Sequence, residues 1–375
     1  MSGKIGPSLT IRYPNRYTVT TGAAMDLQDL TEKSTTMTVS TQKHVDIAFT
    51  SADLTLTIDE FGDRYLQPAM AVLASTVDYD CLTKAAHTTY NTAGITTPTS
   101  PAAHVHPFLQ AGILMDNMAT PRDGERFAVV SPLTSGSMVS GLTNLLNPPS
   151  EISAQYEKGM MGSALGFQWK MDQNVNRITM GTRVATSDVT VTTTSVSGAT
   201  TLAVTKTTGH TFKAGDTFYI TTSGNADRTY SVNPETKQST GINQQFVVTA
   251  DASGAGTTDT LYISPAIITS GPYQTVTALP TATDKLVFYV AASGVQENNI
   301  CCHKDAFTLV TADLVLPTGV EMAAREMFDG VSLRMVKQYE IINDRLLCRF
   351  DVLYGVKELY PQWACKVIGD SSTLV

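Results

Sequence analysis

The chain has 375 residues, 42% of them hydrophobic and 16% charged, which is enough apolar material for cores of ordinary density in two or three domains. Lys and Arg total 26 against 34 Asp and Glu, a net charge of −8, and the basic residues are dilute. This excludes a general binder of nucleic-acid phosphate backbones and leaves room only for a local anion site. Five cysteines, an odd number with Cys301 and Cys302 adjacent, argue against a closed disulfide framework. The N-terminal MSGKIGPSLTIRYP lacks the apolar centre of a signal peptide, and no apolar run approaches the ~18 residues that span a bilayer. The expectation is a soluble protein folded in a reducing cytoplasm, with no membrane contact.

In SLTIRYPNRYTV, residues 8–19, Leu9, Ile11, Tyr13, Tyr17 and Val19 fall on one parity. In STTMTVSTQKHVDIAF, residues 34–49, Met37, Val39, Val45, Ile47 and Phe49 do the same. Two such strands joined by the polar TGAAMDLQDLTEK predict one long ribbon over 8–49. A two-stranded ribbon is marginal alone in water, so its apolar face needs a cover. In the next segment Leu66, Met70, Leu73, Val77 and Cys81 recur as one helical face, and Asp59 and Glu60 suit a helix N-terminus. The reading is a short helix ending near Leu66 and a longer one from Pro68 to about Ala86, the alternative being a single kinked helix.

NTAGITTPTSPAAHVHP reads as a linker. An apolar helix over 107–118, a strand at 126–130 and a second helix capped by Ser131 with Pro132 in its first turn follow. A third helix begins near Ser150, and ALGFQWKM and RITMGTR are strand-like. The mixed order suits an α+β layer. Beyond about residue 186 the chain becomes Thr-rich and loses methionine until Met322. Short β-prone runs from TTLAVTK to DKLVFYVAA alternate with turn signals such as Ser197-Gly198 and Ala214-Gly215-Asp216, predicting a separate small all-β barrel or sandwich. From Cys301 three strand-like runs follow, DAFTLVTADLVL, VSLRMVKQYEII and RLLCRFDVLYGVKEL, the last two a long hairpin about NDR.

Few residues point to chemistry. His104, His106, Cys301, Cys302 and His303 could be imagined as a zinc site, but no CxxC pair or HxxxH helix supports it, so a linker histidine pair is the simpler reading. No nucleophile elbow or phosphate-cradling glycine loop is present, Ser137 has no evident base, and Asp78 and Asp80 face different sides of a helix. No catalytic residue, cofactor or metal is expected. Glu340, Asp344, Arg345 and Arg349 surround the hairpin tip and become inter-chain ion-pair candidates if that tip meets another copy, setting register more than affinity.

The order of these pieces resembles the tailed-phage major capsid proteins with the Hong Kong 97-like fold, in the branch of the short-tailed Salmonella phage coat proteins, which carry an inserted β-domain. The resemblance rests on the ribbon followed by FTSADLTLTIDEFGDRYLQPAMAVLAS, on FKAGDTFYI with YSVNPETKQSTGINQQFVVTA, and on NICCHKDAFTLVTADLVLP with the closing hairpin. It implies an α+β fold with an N-terminal segment and extended β-hairpin loop (1–52), a peripheral domain with a spine helix (53–100 and the hairpin 331–360), and an axial domain (101–186, 293–330 and 361–375). An inserted all-β barrel-like domain (187–292) completes it. Family members usually carry a helical arm of some tens of residues before the loop, and only MSGKIGP precedes it in this sequence; the arm is absent, shorter or not part of the sequence as given, so the resemblance does not carry arm-mediated contacts over.

In that family the extended loop lies across the neighbouring subunit. Leu9, Ile11, Tyr13, Tyr17, Met37, Val39, Val45 and Ile47 would then be buried between copies; the alternative is a ribbon folded back on its own domain. An interface of ~1,600 Å2 at ~25 cal/mol per Å2 of apolar surface is ample for association. The resemblance further implies a homo-oligomeric icosahedral shell of pentamers and hexamers around double-stranded DNA, held without sequence-specific binding. A scaffolding protein and a portal are implied partners, and the virion, assembled in the host bacterial cytoplasm, the implied location. Deleting residues 14–42 should then abolish assembly and leave a folded monomer. Rival readings are a virion or adhesin component whose Thr-rich domain binds glycan, and an enzyme with scattered catalytic residues.

Overall fold

The computed structural model describes residues 6, 8–28, 32–50, 65, 67–94, 101–142, 162–183, 189–224, 226–328 and 330–370. They fall into two compact units. The first comprises Met1–Pro14, Glu32–Cys81 and Phe307–Lys357; the second comprises Asn15–Thr31, Leu82–Ala306 and Glu358–Val375.

In the first unit the expected single ribbon is two structures. Ser8–Arg12 pairs antiparallel with Ser34–Thr38, Leu9 opposite Met37 and Ile11 opposite Thr35. Pairing stops at Val39-Ser40, and Thr41–Thr50 joins instead with Arg345–Glu358, from Thr50 opposite Arg345 to Thr41 opposite Tyr354. That partner is a 14-residue strand whose Leu346, Cys348, Phe350, Val352 and Tyr354 are all buried, so it offers a longer apolar face than the upstream strand can. Val331–Glu340 pairs on its other side, and Met322–Phe328 follows as the next strand. The latter, MAAREMF, was not expected: Met, Ala, Arg and Glu favour helix, and cross-strand pairing overrides that preference.

Helix α1, Gln67–Thr88, starts with Pro68 in its first turn, where the missing N–H removes no helical bond. Its buried stripe is Ala69, Leu73 and Val77, packed with Phe350, Val352 and Tyr354, while Met70 is exposed. The short helix expected near Asp59 and Glu60, and Leu66, lie outside the described residues. Tyr354 donates its hydroxyl to Asp80, which also pairs with Lys43 at 2.8 Å. The backbone of Gly355 meets the ribbon so closely that a Cβ there would sit 2.2 Å from the Thr38 carbonyl oxygen. Gly355→Val is therefore expected to lower the unfolding free energy by about 1–3 kcal/mol, since backbone on both sides must shift. Urea unfolding of the variant matching the parent would contradict that contact.

In the second unit, a seven-stranded mixed sheet runs in the order Thr92–Gly94, Ala364–Asp370, Val295–His303, Arg126–Val130, Phe167–Met171, Ser163–Ala164, with Arg177–Thr179 also on Val295–His303. Helices α2, Pro101–Asn117, and α3, Pro132–Leu142, cover it, and Phe108, Met115, Met138, Phe167, Trp169 and Val367 form the core. The residues read as a linker up to Pro107 include the first turns of α2: Pro101 opens the helix, and Pro107 is carried inside it. Ser131 caps α3, accepting the Thr134 N–H at 3.1 Å. The third helix, near Ser150, lies outside the described residues.

The Thr-rich region forms a closed six-stranded barrel: Ala199–Thr205, Thr258–Ile267, Gln245–Val248, Thr217–Thr221, Lys285–Phe288 and Thr190–Val191. Phe212, Phe218, Phe246, Phe288, Leu202 and Leu261 fill it. Alternating inward side chains and full closure leave no open edge. Tyr230–Val232 and Ser239–Asn243 make a separate hairpin beside it.

Candidate functional site

The chain's chemistry lies in its surfaces and joints. Of the ribbon residues expected between copies, Leu9 is 46% and Tyr17 62% exposed, while Ile11, Tyr13 and Val39 are half-buried. Met37 is fully buried within the chain, and Val45 and Ile47 pack on the core of their own unit. These three are corrections to the expected set. For Val45 and Ile47 the pairing of Thr41–Thr50 with Arg345–Glu358 turns the apolar parity inward, while Met37 sits opposite Leu9 in the pairing of Ser34–Thr38 with Ser8–Arg12. The exposed apolar side chains concentrate in the connecting loop instead, at Tyr17, Val19, Met25 and Leu27. Within it Thr18 donates its N–H to Gln28 Oε1 at 2.9 Å, and the Gln28 amide donates back to the Thr18 carbonyl. One side chain thus supplies the bridge that a backbone pair would make.

The hairpin-tip charges find partners in their own chain, although the Arg345 Nε has no acceptor among the described residues. Glu340 pairs with Arg345 at 3.4 Å, Asp344 accepts the Tyr339 hydroxyl at 2.6 Å, and Arg349 reaches Asp351 at 2.7 Å. Asp351 also accepts from Arg334 at 2.8 Å and Gln42 at 3.0 Å. Burial pushes its carboxyl up, but these donors outweigh burial and hold it below the usual carboxylate range. What the tip displays is apolar: Ile341 and Ile342 are 83% and 89% exposed. The sequence signal was present in EIIND, two β-branched apolar residues at a polar turn, and was passed over in favour of the charges around it.

The barrel is joined to the seven-stranded sheet by buried polar groups. Gln245 donates its amide to the Thr92 carbonyl at 2.9 Å and accepts the Thr92 N–H. Lys366, wholly buried, donates to the carbonyls of Ala86 at 3.1 Å, on α1, and Gly215 at 2.6 Å, on the barrel. Beside it Arg183 and Asp216 form an ion pair at 2.8 Å with both side chains inaccessible, and Arg183 lies 4.1 Å over the Phe288 ring. Burial pushes the Asp216 carboxyl above its usual range, a shift that Arg183 only partly offsets. At Gly181 a Cβ would meet the Thr211 carbonyl oxygen at 2.0 Å, so the chain enters the barrel through a passage only glycine fits.

A second buried polar group sits on Val295–His303, where Gln296, Glu297, Asn298 and Asn299 are all buried. Glu297 accepts from Thr134 at 2.9 Å, from Arg177 at 3.0 Å and from the Ser131 hydroxyl, placing its carboxylate at the start of α3. This strand was missed up to Cys301 because QENN reads as loop. Of the residues considered for a metal, His303 pairs with Asp123 at 3.1 Å, and Cys301 is buried with its thiol pushed well above the usual range by burial. His106 is exposed on α2, and the His104 side chain lies outside the described residues. Among the described residues no group of three or more His, Cys, Asp or Glu is placed to hold a metal ion. Ser137 donates its hydroxyl to the Leu133 carbonyl at 3.1 Å. No helix among the described residues is long and apolar enough to cross a membrane.

The chain is similar to solved phage structures. A Mycobacterium phage Che8 chain is 11% identical over 97% of this chain and 85% of that one, with a TM-score of 0.50. The Ralstonia phage GP4 capsid is 9% identical over 99% and 86%, with a TM-score of 0.49. The cyanophage P-SCSP1u capsid is 10% identical over 97% and 83%, with a TM-score of 0.46. At these identities the first likeness speaks for the fold alone, which is Hong Kong 97-like. No curated protein sequence matches. The model of the family described as P22 coat protein, gene protein 5, matches residues 3–369, nearly the whole chain, and the chain therefore belongs to that coat-protein family and is a major capsid protein of a tailed phage.

Proposed function

We propose that this coat protein assembles as pentamers and hexamers into the icosahedral head of a double-stranded DNA phage. The family match over residues 3–369 is the observation that carries the reading. Residues 53–100 and 331–360 act as the peripheral domain. Residues 101–186, 293–330 and 361–375 act as the axial domain near the capsomer centre. The inserted domain, 187–292, projects outward and touches neighbouring capsomers. Buried barrel-to-sheet contacts such as Gln245 with Thr92 support a fixed mount for it. The exposed apolar loop at Tyr17, Val19, Met25 and Leu27 is the surface laid on the next copy. A scaffolding protein and a portal are the assembly partners, and the shell forms in the host bacterial cytoplasm.

The net charge of −8 keeps packed DNA from adhering to its container by like-charge repulsion. Many weak loop contacts around a closed shell add up without any single tight pair. Electron microscopy of the purified protein, alone and after expression with its scaffold, is expected to show closed polyhedra. Small soluble oligomers under every condition would overturn the reading.

A further inference from the structure

Residues Asn15–Thr31 group with the second unit, the one that holds the barrel of their own chain. Arg16 lies over the ring of Tyr273, 5.8 Å from its centroid, within the range of a cation–π contact. Next to Arg16 is Lys237, whose ammonium donates to the Pro272 carbonyl at 2.6 Å and to the Pro234 carbonyl. Burial first, and then the charge of Arg16, push Lys237 below the usual lysine range. The Asn15 side-chain oxygen is closed off from solvent and finds no hydrogen-bond donor among the described residues. At the chain's own surface the loop is therefore held by this aromatic contact, with a like charge and an acceptor unmet among the described residues set against it. Its apolar end stays outside: Val19 is 96%, Met25 85% and Leu27 84% exposed. The Thr18–Gln28 bridge holds that end together, so the loop can move as one piece.

We propose that residues 15–28 occupy a parked position on their own chain, latched by Arg16 on Tyr273, and that this latch must open before the loop lies on a neighbouring copy. The inference rests on the proposed role of the loop between copies. A weak latch suits the task. It keeps the strap from docking at random in the unassembled chain, and it yields to a partner surface that covers four apolar side chains.

Two measurements on the unassembled full-length chain test it. Hydrogen exchange over residues 15–28 is expected to rise about two- to fivefold in Arg16→Ala and equally in Tyr273→Ala, the change that loss of one exposed cation–π contact allows. Unchanged exchange in both variants overturns the latch. In Arg16→Cys/Tyr273→Cys, a short cleavable bismaleimide is expected to link the two positions within one chain. Shell formation should then stop and return on cleavage of the linker. Links found only between chains overturn the parked position and leave the loop's role between copies intact. A link within the chain that leaves assembly normal overturns the need for release, and with it the loop's proposed place in the shell. The exchange measurement is read before any assembly, so its outcome does not depend on whether shells form.

Discussion

Replacing residues 15–31 by a short Gly-Ser turn is expected to give a folded chain that no longer closes into shells. The change removes Tyr17, Val19, Met25 and Leu27, which are mostly exposed, and leaves the pairing of Ser8–Arg12 with Ser34–Thr38 in place. Full burial of such side chains is worth ~1.5–3 kcal/mol each, so partial burial of four against a neighbour supplies ~4–6 kcal/mol per loop. At ~1.4 kcal/mol per decade, its loss weakens each contact about a thousandfold or more, and a shell repeats that loss at every copy. The larger deletion of residues 14–42 is the poorer experiment. It removes Met37, which is fully buried, and Gln42, which bonds Asp351 at 3.0 Å, so loss of assembly would be confounded with loss of fold. Sedimentation and far-UV circular dichroism of the shorter replacement separate the two effects. Shells of normal size and yield from that variant would remove the loop from the interface.

Much of the fold was legible wherever side-chain period and partner agreed. Five of the six barrel strands announce themselves through short β-prone runs between turn signals, whereas Thr190–Val191 was not read and RTYSV proves to be part of the separate hairpin; the closing hairpin shows in two long alternating runs about a polar tip. The helix from Gln67 to Thr88 was found to within two residues because proline suits a first helical turn. What failed was partner choice. Alternation placed Val45 and Ile47 on one face, but only the length and burial of Arg345–Glu358, far along the chain, decide that this face turns inward. Composition misled at Met322–Phe328, whose residues favour helix, and at Gln296–Asn299, whose amides and carboxylate look like loop until Ser131, Thr134 and Arg177 are seen around them. The candidate surface was half legible: Tyr17 and Val19 stood on the ribbon's apolar parity, whereas Met25 and Leu27 lay in a joint that reads as polar, and the pairing of Glu340 with Arg345 needed the turn's geometry.

Lys366 gives the joint between barrel and sheet a pH dependence of definite sign. Burial disfavours its ammonium and lowers its pKa to about 7, against partial support from Asp216 and then Cys365. An unfolded lysine titrates near ~10.4, so above pH 7 the unfolded chain binds more protons at this site than the native one. Stability therefore rises with pH from about 7, by up to ~1.4 kcal/mol per unit, and the rise is absent at lower pH, where both states are charged. Burial first and then Lys366 hold His87 below the usual histidine range. The thiols of Cys302 and Cys365, pushed up to about 12 by burial, act in the opposite direction once unfolded thiols ionise above ~8.5. Lys366→Met leaves the Ala86 and Gly215 carbonyls without this donor at every pH, at ~1–3 kcal/mol each, and relieves the buried charge only where the native lysine carried one. The variant is thus expected to fall further behind the parent at pH 8.5 than at pH 6, by about 2 kcal/mol. Urea unfolding of the unassembled chains at the two pH values measures this directly. Parallel stability profiles would mean that Lys366 keeps its proton through the window and that the joint is held by a permanent charge.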